Sequence, residues 1–103
     1  MFIMTDKVVM KNADVIRGQL MSEIEQGAIR WVIDLRLTQY MDSSGLAILI
    51  AAWKKVENLG GAMVLAEPTP TVKALLELTR LHELFEIYED IDAAAEYVKR
   101  ELR

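Results

Sequence analysis

Short apolar runs alternate with helix-like segments along the chain, and this alternation is the strongest constraint on its fold. The runs predicted as strands lie at 2–9, 31–35, 62–66 and 84–88. The segments predicted as helices lie at 13–26, at 44–59, from Pro70 onward and at 92–102. A β-α-β-α-β-α-β-α order is typical of an α/β domain with largely parallel strands and helical crossovers. With 103 residues and no linker, we expect a single domain over 1–103.

Capping residues indicate where the helices begin. Asn12 is the predicted N-cap of the first helix. Thr69 is the predicted N-cap of the third, with Pro70 at the first helical position, where a missing N–H costs nothing. Either Asp90 or Asp92 is expected to cap the last helix.

The composition excludes several classes of site. The chain has no cysteine, which rules out disulfides, thiolate zinc sites and cysteine nucleophiles. Its single histidine, His82, lies in a charged stretch and cannot build a multi-histidine metal site alone. A formal net charge of -4 argues against non-specific binding to nucleic acid, which needs a basic surface. We expect no cofactor and no metal.

No segment of the sequence predicts export or insertion into a membrane. The N-terminal stretch MFIMTDKVVM lacks a basic region and contains Asp6. The longest apolar run, 46–53, is far shorter than the roughly 20 residues of a membrane span. We therefore expect a cytoplasmic protein.

The stretch QYMDSSGLAIL at 39–49 contains the candidate functional residues. Ser43 or Ser44 could accept an N–H group from the first turn of the second helix, with Gly45 allowing close backbone approach. Such a cap contributes roughly 1 kcal/mol to stability. Spacing alone favours this structural interpretation.

A serine nucleophile is a second interpretation of the same stretch. It would need a general base and an oxyanion hole. The G-x-S-x-G elbow is absent, because Met41 stands two residues before Ser43, and His82 is the only histidine available as a base. We expect no enzymatic activity and assign no catalytic residue.

A phosphate acceptor at a helix start is the third interpretation. The positive end of a helix dipole tolerates added negative charge, so phosphorylation need not unfold the domain. Asp42 lies next to the two serines, so a phosphate would concentrate like charge on one patch and could release a bound partner.

The same residues resemble those of a known family. A strand ending in VIDL, then MDSSGL opening a helix, then GG before the next strand, and later LLELTRLHELFEIYED, are similar to STAS domains of the anti-sigma factor antagonist type. The resemblance covers about 13–98. It implies a mixed β-sheet of about four strands with four helices packed on it, the N-terminal edge strand being short or missing.

The resemblance also implies a function and its residues. Ser43 would be phosphorylated by a serine kinase that is also the anti-sigma factor; the unphosphorylated form would bind that kinase and release the sigma factor. A serine phosphatase would restore binding. The partner-binding residues would be Asp42, Ser43, Ser44, Gly45 and Leu46, with Ser44 as the helix cap. ATP would belong to the kinase.

Two departures from the family pattern support other expectations. The chain begins too late to supply a further strand that relatives carry, so an open N-terminal edge could pair two copies into a homodimer. The stretch DKVV at 6–9 lacks the family's G-x-[LI]-D pattern. The alternative function is a structural or sensory STAS subunit of a signalling scaffold or transporter-associated complex. Lys54, Lys55 and Glu57 could shape partner choice or simply form a solvated helix face.

Overall fold

A parallel four-stranded sheet with helices on both faces forms the centre of the protein. The computed structural model describes residues 1–100. The strands are β1 (Phe2–Ile3), β2 (Lys7–Val8), β3 (Arg30–Asp34), β4 (Tyr40–Met41), β5 (Ala62–Ala66) and β6 (Glu86–Tyr88). The helices are α1 (Met10–Glu25), α2 (Ser43–Asn58), α3 (Pro70–Leu78) and α4 (Ile91–Arg100), with a 3₁₀ turn at Leu81–Glu83. The last two residues of the helix predicted at 92–102 lie outside the described residues.

The sheet has the strand order β1-β3-β5-β6, and a separate two-stranded pair joins β2 to β4. The expected α/β architecture, with four helices and a short N-terminal edge strand, is confirmed. The expected mixture of strand directions is corrected, because every strand pair within residues 1–100 runs parallel. The reason is that a helix lies between each pair of successive neighbours in the four-stranded sheet, and a helical crossover returns the chain in the same direction.

The strand order determines which face each helix covers. The sheet grows in one direction, β1 to β3 to β5 to β6, and right-handed crossovers then place α1, α2 and α3 on one face. That face packs the larger core, in which Trp31, Ile33 and Leu65 meet apolar residues of these three helices. The alternate strand residues Val32 and Val64 point to the other face, where α4 covers them. Trp31 is buried, and Trp53 is half-buried, with its ring centroid 6.1 Å from that of Phe85.

The observed helix starts agree with the predicted caps at α3 and α4 and differ from them at α1 and α2. Thr69 Oγ1 accepts the N–H of Val72 at 3.4 Å, as expected for an N-cap followed by proline. Asp90 precedes α4 and accepts the N–H of Asp92 at 2.9 Å, which selects it from the two candidates.

The prediction that Asn12 is an N-cap is wrong. Helix α1 begins earlier, at Met10, with Val9 as its N-cap. Asn12 instead occupies the third helical position, where its Oδ1 accepts the N–H of Val9 at 2.9 Å. Its Nδ2 donates to the carbonyl oxygen of Lys7 at 2.8 Å. An amide side chain at this position satisfies the helix start by reaching back, so it resembled a cap from sequence alone.

The N-terminal edge of the sheet is short and partly apolar. β1 pairs with β3 through only two residues, and Ile3 is 57% exposed. A homodimer through this edge stays a prediction, which sedimentation velocity of the full chain would test. No helix within residues 1–100 combines the length and the apolar content that crossing a bilayer requires.

Two glycines allow a matched test of backbone packing. At Gly61, which precedes β5, an added Cβ would collide with the backbone carbonyl of Ile29, whereas at Gly18 it would meet nothing within 4 Å. We expect Gly61→Ala to lower the free energy of unfolding by about 1–3 kcal/mol, because backbone cannot move aside as a side chain can. Gly18→Ala on the exposed face of α1 is expected to raise it by about 0.5–1 kcal/mol. Urea unfolding of both variants checks this, and equal stabilities would contradict the packing argument.

Candidate functional site

Asp42 caps the amino end of α2. Its backbone is extended, and its Oδ1 accepts the N–H of Ser44 at 2.8 Å and that of Gly45 at 3.4 Å. The helix therefore begins at Ser43, and the expectation that Ser44 or Ser43 is the cap is wrong. Asp and Ser are equally good N-caps by propensity, so the choice between adjacent residues depended on tertiary contacts.

Those tertiary contacts bring a second helix to the same carboxylate. Asp42 Oδ2 accepts the N–H of Met10, the first residue of α1, at 3.2 Å. The backbone N–H of Asp42 donates to the carbonyl oxygen of Val8 at 3.1 Å. One carboxylate thus lies at the positive ends of two helix dipoles, where negative charge is favoured.

Ser43 stands outside this network. It is exposed, and none of the hydrogen bonds found within residues 1–100 uses its hydroxyl. Ser44 is half-buried and lines a groove of about 290 Å³ between α1 and α2. No histidine or carboxylate within the described residues is hydrogen-bonded to either hydroxyl, so neither serine has a partner positioned as a general base.

Gly45 and Leu46, the other two residues predicted to bind a partner, lie in the interior. Leu46 is 8% exposed and belongs to the larger core. At Gly45 an added Cβ would collide with the side chain of Met41 and lie 3.0 Å from Val8 Cγ1. Gly45 therefore lets α2 approach β2 and β4 closely. Of the five residues predicted for partner binding, the three from Asp42 to Ser44 are those that reach the surface.

Two exposed side chains, Met10 and Tyr40, lie on the segments next to the start of α2, and no sequence pattern singles them out. Met10 is 79% exposed and Tyr40 is 51% exposed. Met10 is the residue whose N–H Asp42 accepts, and Tyr40 belongs to the strand that leads into α2. Tyr40 lies in a two-residue strand, in which no local pattern indicates which side chain faces solvent.

Three threonines hold the loops beside the site together. Thr38 is fully buried, and its Oγ1 donates to the carbonyl oxygen of Thr5 at 2.9 Å. Thr69 Oγ1 donates to the carbonyl oxygen of Thr38 at 2.7 Å. The segment after β1, the loop before β4 and the start of α3 are therefore linked by side-chain hydrogen bonds.

The lysines of α2 lie at the opposite end of the helix. From Ser43 to Lys54 the rise is about 16 Å at 1.5 Å per residue. Lys55 approaches Glu25 at 3.9 Å with both side chains largely exposed. This position favours a solvated helix face for Lys54, Lys55 and Glu57 over a direct part in the Ser43 surface.

At the end of β3 the buried Asp34 forms an ion pair with Arg36, whose side chain is half exposed. Asp34 is 1% exposed, and both its carboxylate oxygens accept hydrogen bonds from Arg36, the shortest being 2.7 Å from Nη2. Hydrogen bonding to the Arg36 side chain holds the pKa of Asp34 below its ordinary value, against the opposing effect of burial. These hydrogen bonds give Asp34 a structural role, and we assign it no catalytic role.

The lowered pKa of Asp34 predicts a stability contribution that depends on pH. The contribution is complete above the unfolded-state pKa of about 3.9 and disappears as the pH falls through the lower folded-state value. We expect Arg36→Ala to lower the free energy of unfolding at pH 7, with the cost shrinking below that range. Urea unfolding at several pH values measures this. Lys73→Ala is the control, since Lys73 pairs with Glu89 in solvent, where ion pairs contribute about 0–1 kcal/mol.

Removing the Asp42 carboxylate should destabilise the starts of both α1 and α2. We expect Asp42→Ala to lower the free energy of unfolding by about 1–2 kcal/mol, since it deletes the N-cap. Asp42→Asn should cost less, because its remaining oxygen can still accept from Ser44 and Gly45 but its NH₂ group cannot accept from Met10. Urea unfolding of both variants tests this order, and an Asp42→Ala variant as stable as the parent would contradict the capping role.

The sequence and the fold both match known proteins. Residues 2–94 match the family described as the STAS domain. The anti-sigma-B factor antagonist of Bacillus subtilis (strain 168) is 32% identical over 80 residues, covering 74% of this chain and 69% of that protein. The crystal structure of the Thermotoga maritima protein TM1081 has a TM-score of 0.87 at 27% identity, covering 94% of this chain and 86% of that one.

Two further structures share the fold at lower identity. The anti-sigma factor antagonist SpoIIAA in its unphosphorylated form gives a TM-score of 0.78 at 21% identity, over 92% of this chain and 84% of that one. The phosphorylated form of the Bacillus cell fate determinant SpoIIAA gives 0.70 at 20%, over 92% and 86%. Because the family match spans 2–94 and a relative reaches 32% identity over most of both chains, this chain belongs to the STAS domain family, of the anti-sigma factor antagonist type.

Proposed function

We propose that this protein acts by partner switching. Its unphosphorylated form binds an anti-sigma factor that is also a serine kinase, and this binding releases the sigma factor. Phosphorylation of Ser43 ends the binding, and a serine phosphatase restores it. The relative named as an anti-sigma-B factor antagonist supports the choice of an anti-sigma factor as the partner. The role is regulatory, not enzymatic, and implies action in the cytoplasm, where bacterial transcription takes place.

The observation that carries this proposal is the division of roles between Asp42 and Ser43. Asp42 supplies the helix cap, while the Ser43 hydroxyl is exposed and has no hydrogen-bond partner within residues 1–100. A kinase could therefore modify Ser43 without breaking an interaction that the fold needs. That the same fold has been solved in a phosphorylated and an unphosphorylated form is consistent with this.

The phosphoryl transfer would involve the Ser43 hydroxyl of this chain and the ATP bound to the kinase. The Ser43 hydroxyl oxygen attacks the γ-phosphorus of ATP bound to the kinase. The new O–P bond forms as the bond to ADP breaks, and the hydroxyl proton passes to a base of the kinase. The phosphatase would hydrolyse the ester and release inorganic phosphate.

Charge explains how the phosphate would release the partner. A phosphoserine carries about -1.5 to -2 charges at pH 7, and it would stand beside the carboxylate of Asp42. A partner surface packed over Asp42, Ser43 and Ser44 would have to desolvate this charge. The neighbouring exposed Met10 and Tyr40 would supply apolar contact area for the unphosphorylated complex.

The kinase reaction should depend on Ser43 alone. We expect the cognate kinase to transfer labelled phosphate to the parent protein and to a Ser44→Ala variant, but not to Ser43→Ala. Phosphate incorporation followed by mass spectrometry checks this. Incorporation into Ser43→Ala at the parent's rate would show that another residue is the acceptor.

Binding should respond to charge at the same position. We expect Ser43→Asp to weaken binding to the kinase by more than about 100-fold, because the partner would have to desolvate two adjacent carboxylates, and burying an unpaired charge costs several kcal/mol. Isothermal titration calorimetry measures this, with the urea midpoint confirming that the fold is retained. Ser22→Asp, an exposed serine on α1 away from the start of α2, is the control for added charge. Parent-like affinity of Ser43→Asp would contradict the switch.

A further inference from the structure

The amino end of α2 has little capacity left to bind a phosphate. Asp42 Oδ1 accepts the N–H groups of Ser44 and Gly45. The backbone carbonyl oxygen of Asp42 accepts the N–H of Gly45 at 3.0 Å and that of Leu46 at 3.3 Å. The bond from Leu46 is the ordinary first bond of the helix, so the groups that Asp42 takes from a possible anion are the N–H groups of Ser44 and Gly45. The N–H of Ser43 has no partner among the hydrogen bonds found within residues 1–100.

The neighbouring helix start is occupied in the same way. The N–H of Met10 donates to Asp42 Oδ2, and the N–H groups of Asn12 and Ala13 donate to the carbonyl oxygen of Val9 at 3.1 and 2.9 Å. A phosphate on Ser43 would therefore find the N–H groups of Met10, Ser44 and Gly45 already bonded to Asp42, while those of Ser43 and Lys11 have no partner among the hydrogen bonds found within residues 1–100.

Within residues 1–100, no Lys, Arg or His side chain forms a salt bridge with the carboxylate of Asp42. The charged and titratable side chains on the segments around the two helix starts are of both signs: Asp6, Lys7, Lys11, Asp14, Arg17 and Tyr40. With no ion pair formed at Asp42, a phosphate beside it would add charge to a carboxylate whose partners are backbone groups alone.

We propose that Asp42 is a positioning residue for phosphoserine 43: by holding the N–H groups of the helix start, it keeps the phosphate projecting into solvent, beside a second negative charge. This inference rests on the proposed phosphorylation of Ser43. In its usual role a helix start attracts and neutralises a phosphate. In this protein the Asp42 carboxylate binds the N–H groups instead. The phosphate therefore stays exposed on the surface that a partner would contact.

The test uses the full chain with phosphoserine incorporated at position 43 during translation, so that no kinase is needed. Amide proton shifts of Ser44 and Gly45 and the phosphorus resonance are followed by NMR across a pH titration. In the parent sequence we expect these two amides to keep their unphosphorylated shifts, and the pKa of the phosphate to lie above its ordinary value of about 6.

Two Asp42 variants separate hydrogen bonding from charge. With Asp42→Ala, the freed N–H groups should turn to the phosphate: both amide protons move downfield as it ionises, and its pKa falls. With Asp42→Asn, the remaining oxygen keeps the amides occupied, so they should not move, while the pKa falls because the like charge is gone. Unphosphorylated forms of each variant supply the reference shifts.

Two results would overturn the inference. One is a parent phosphoprotein in which the amides of Ser44 and Gly45 already move downfield with the phosphate titration. The other is a phosphate pKa that is the same in the parent and in Asp42→Asn. If Asp42→Ala fails to fold, the phosphate pKa of the parent compared with that of Asp42→Asn still tests the inference. Failure of the proposed function would instead appear as absent phosphorylation by the kinase or unchanged partner binding, which this experiment does not measure.

Discussion

The hydrogen bonds to the carboxylate of Asp42 hold together the end of the protein at which α1 and α2 begin. Its two oxygens accept N–H groups from the first residues of α1 and α2, helices that are adjacent in space but start 33 residues apart in the chain. The backbone N–H of the same residue extends the pairing of β2 with β4. Asp42 therefore sets the spacing of two helices and a strand pair, and the hydroxyl of Ser43 takes no part in these contacts.

The sheet explains why such a site forms at this end of the molecule. In a parallel sheet, each helix that follows a strand begins at the carboxyl edge, so the helix starts gather there. α1 follows β2 and α2 follows β4, and these two strands pair in parallel. Their helices must then begin side by side, with their unpaired N–H groups close together. A single carboxylate can satisfy both only in this arrangement, and Gly45 permits it by letting α2 lie against Val8 and Met41.

Much of the fold could be predicted from the sequence because the long elements carry strong local signals. The strand at 62–66 and the Thr69–Pro70 helix start agree with the structure residue for residue, since an apolar run between turn residues and a proline at the first helical position are unambiguous. The cap of α2 cannot be read from the sequence, because Asp42, Ser43 and Ser44 are all good N-cap residues. The decision rests on the contact with Met10, which lies 32 residues away in sequence. The role of Asn12 was missed for a related reason: a side chain reaching back three residues resembles one that starts the helix. The exposure of Tyr40 could not be predicted, since its two-residue strand has no periodicity.

The threonine contacts described above bear on what a modifying enzyme would recognise. Thr38 and Thr69 join three separate stretches of chain through single hydrogen bonds to backbone carbonyl oxygens, and Thr38 is fully buried. Pulling any one stretch away would leave polar groups of the others unpaired in the interior, which costs about 1–3 kcal/mol for each group. The three stretches joined by Thr38 and Thr69 therefore stay together as long as these hydrogen bonds hold. An enzyme acting on Ser43 would read a three-dimensional surface assembled from distant segments, and a linear peptide copied from 39–49 would be a poor substitute for it.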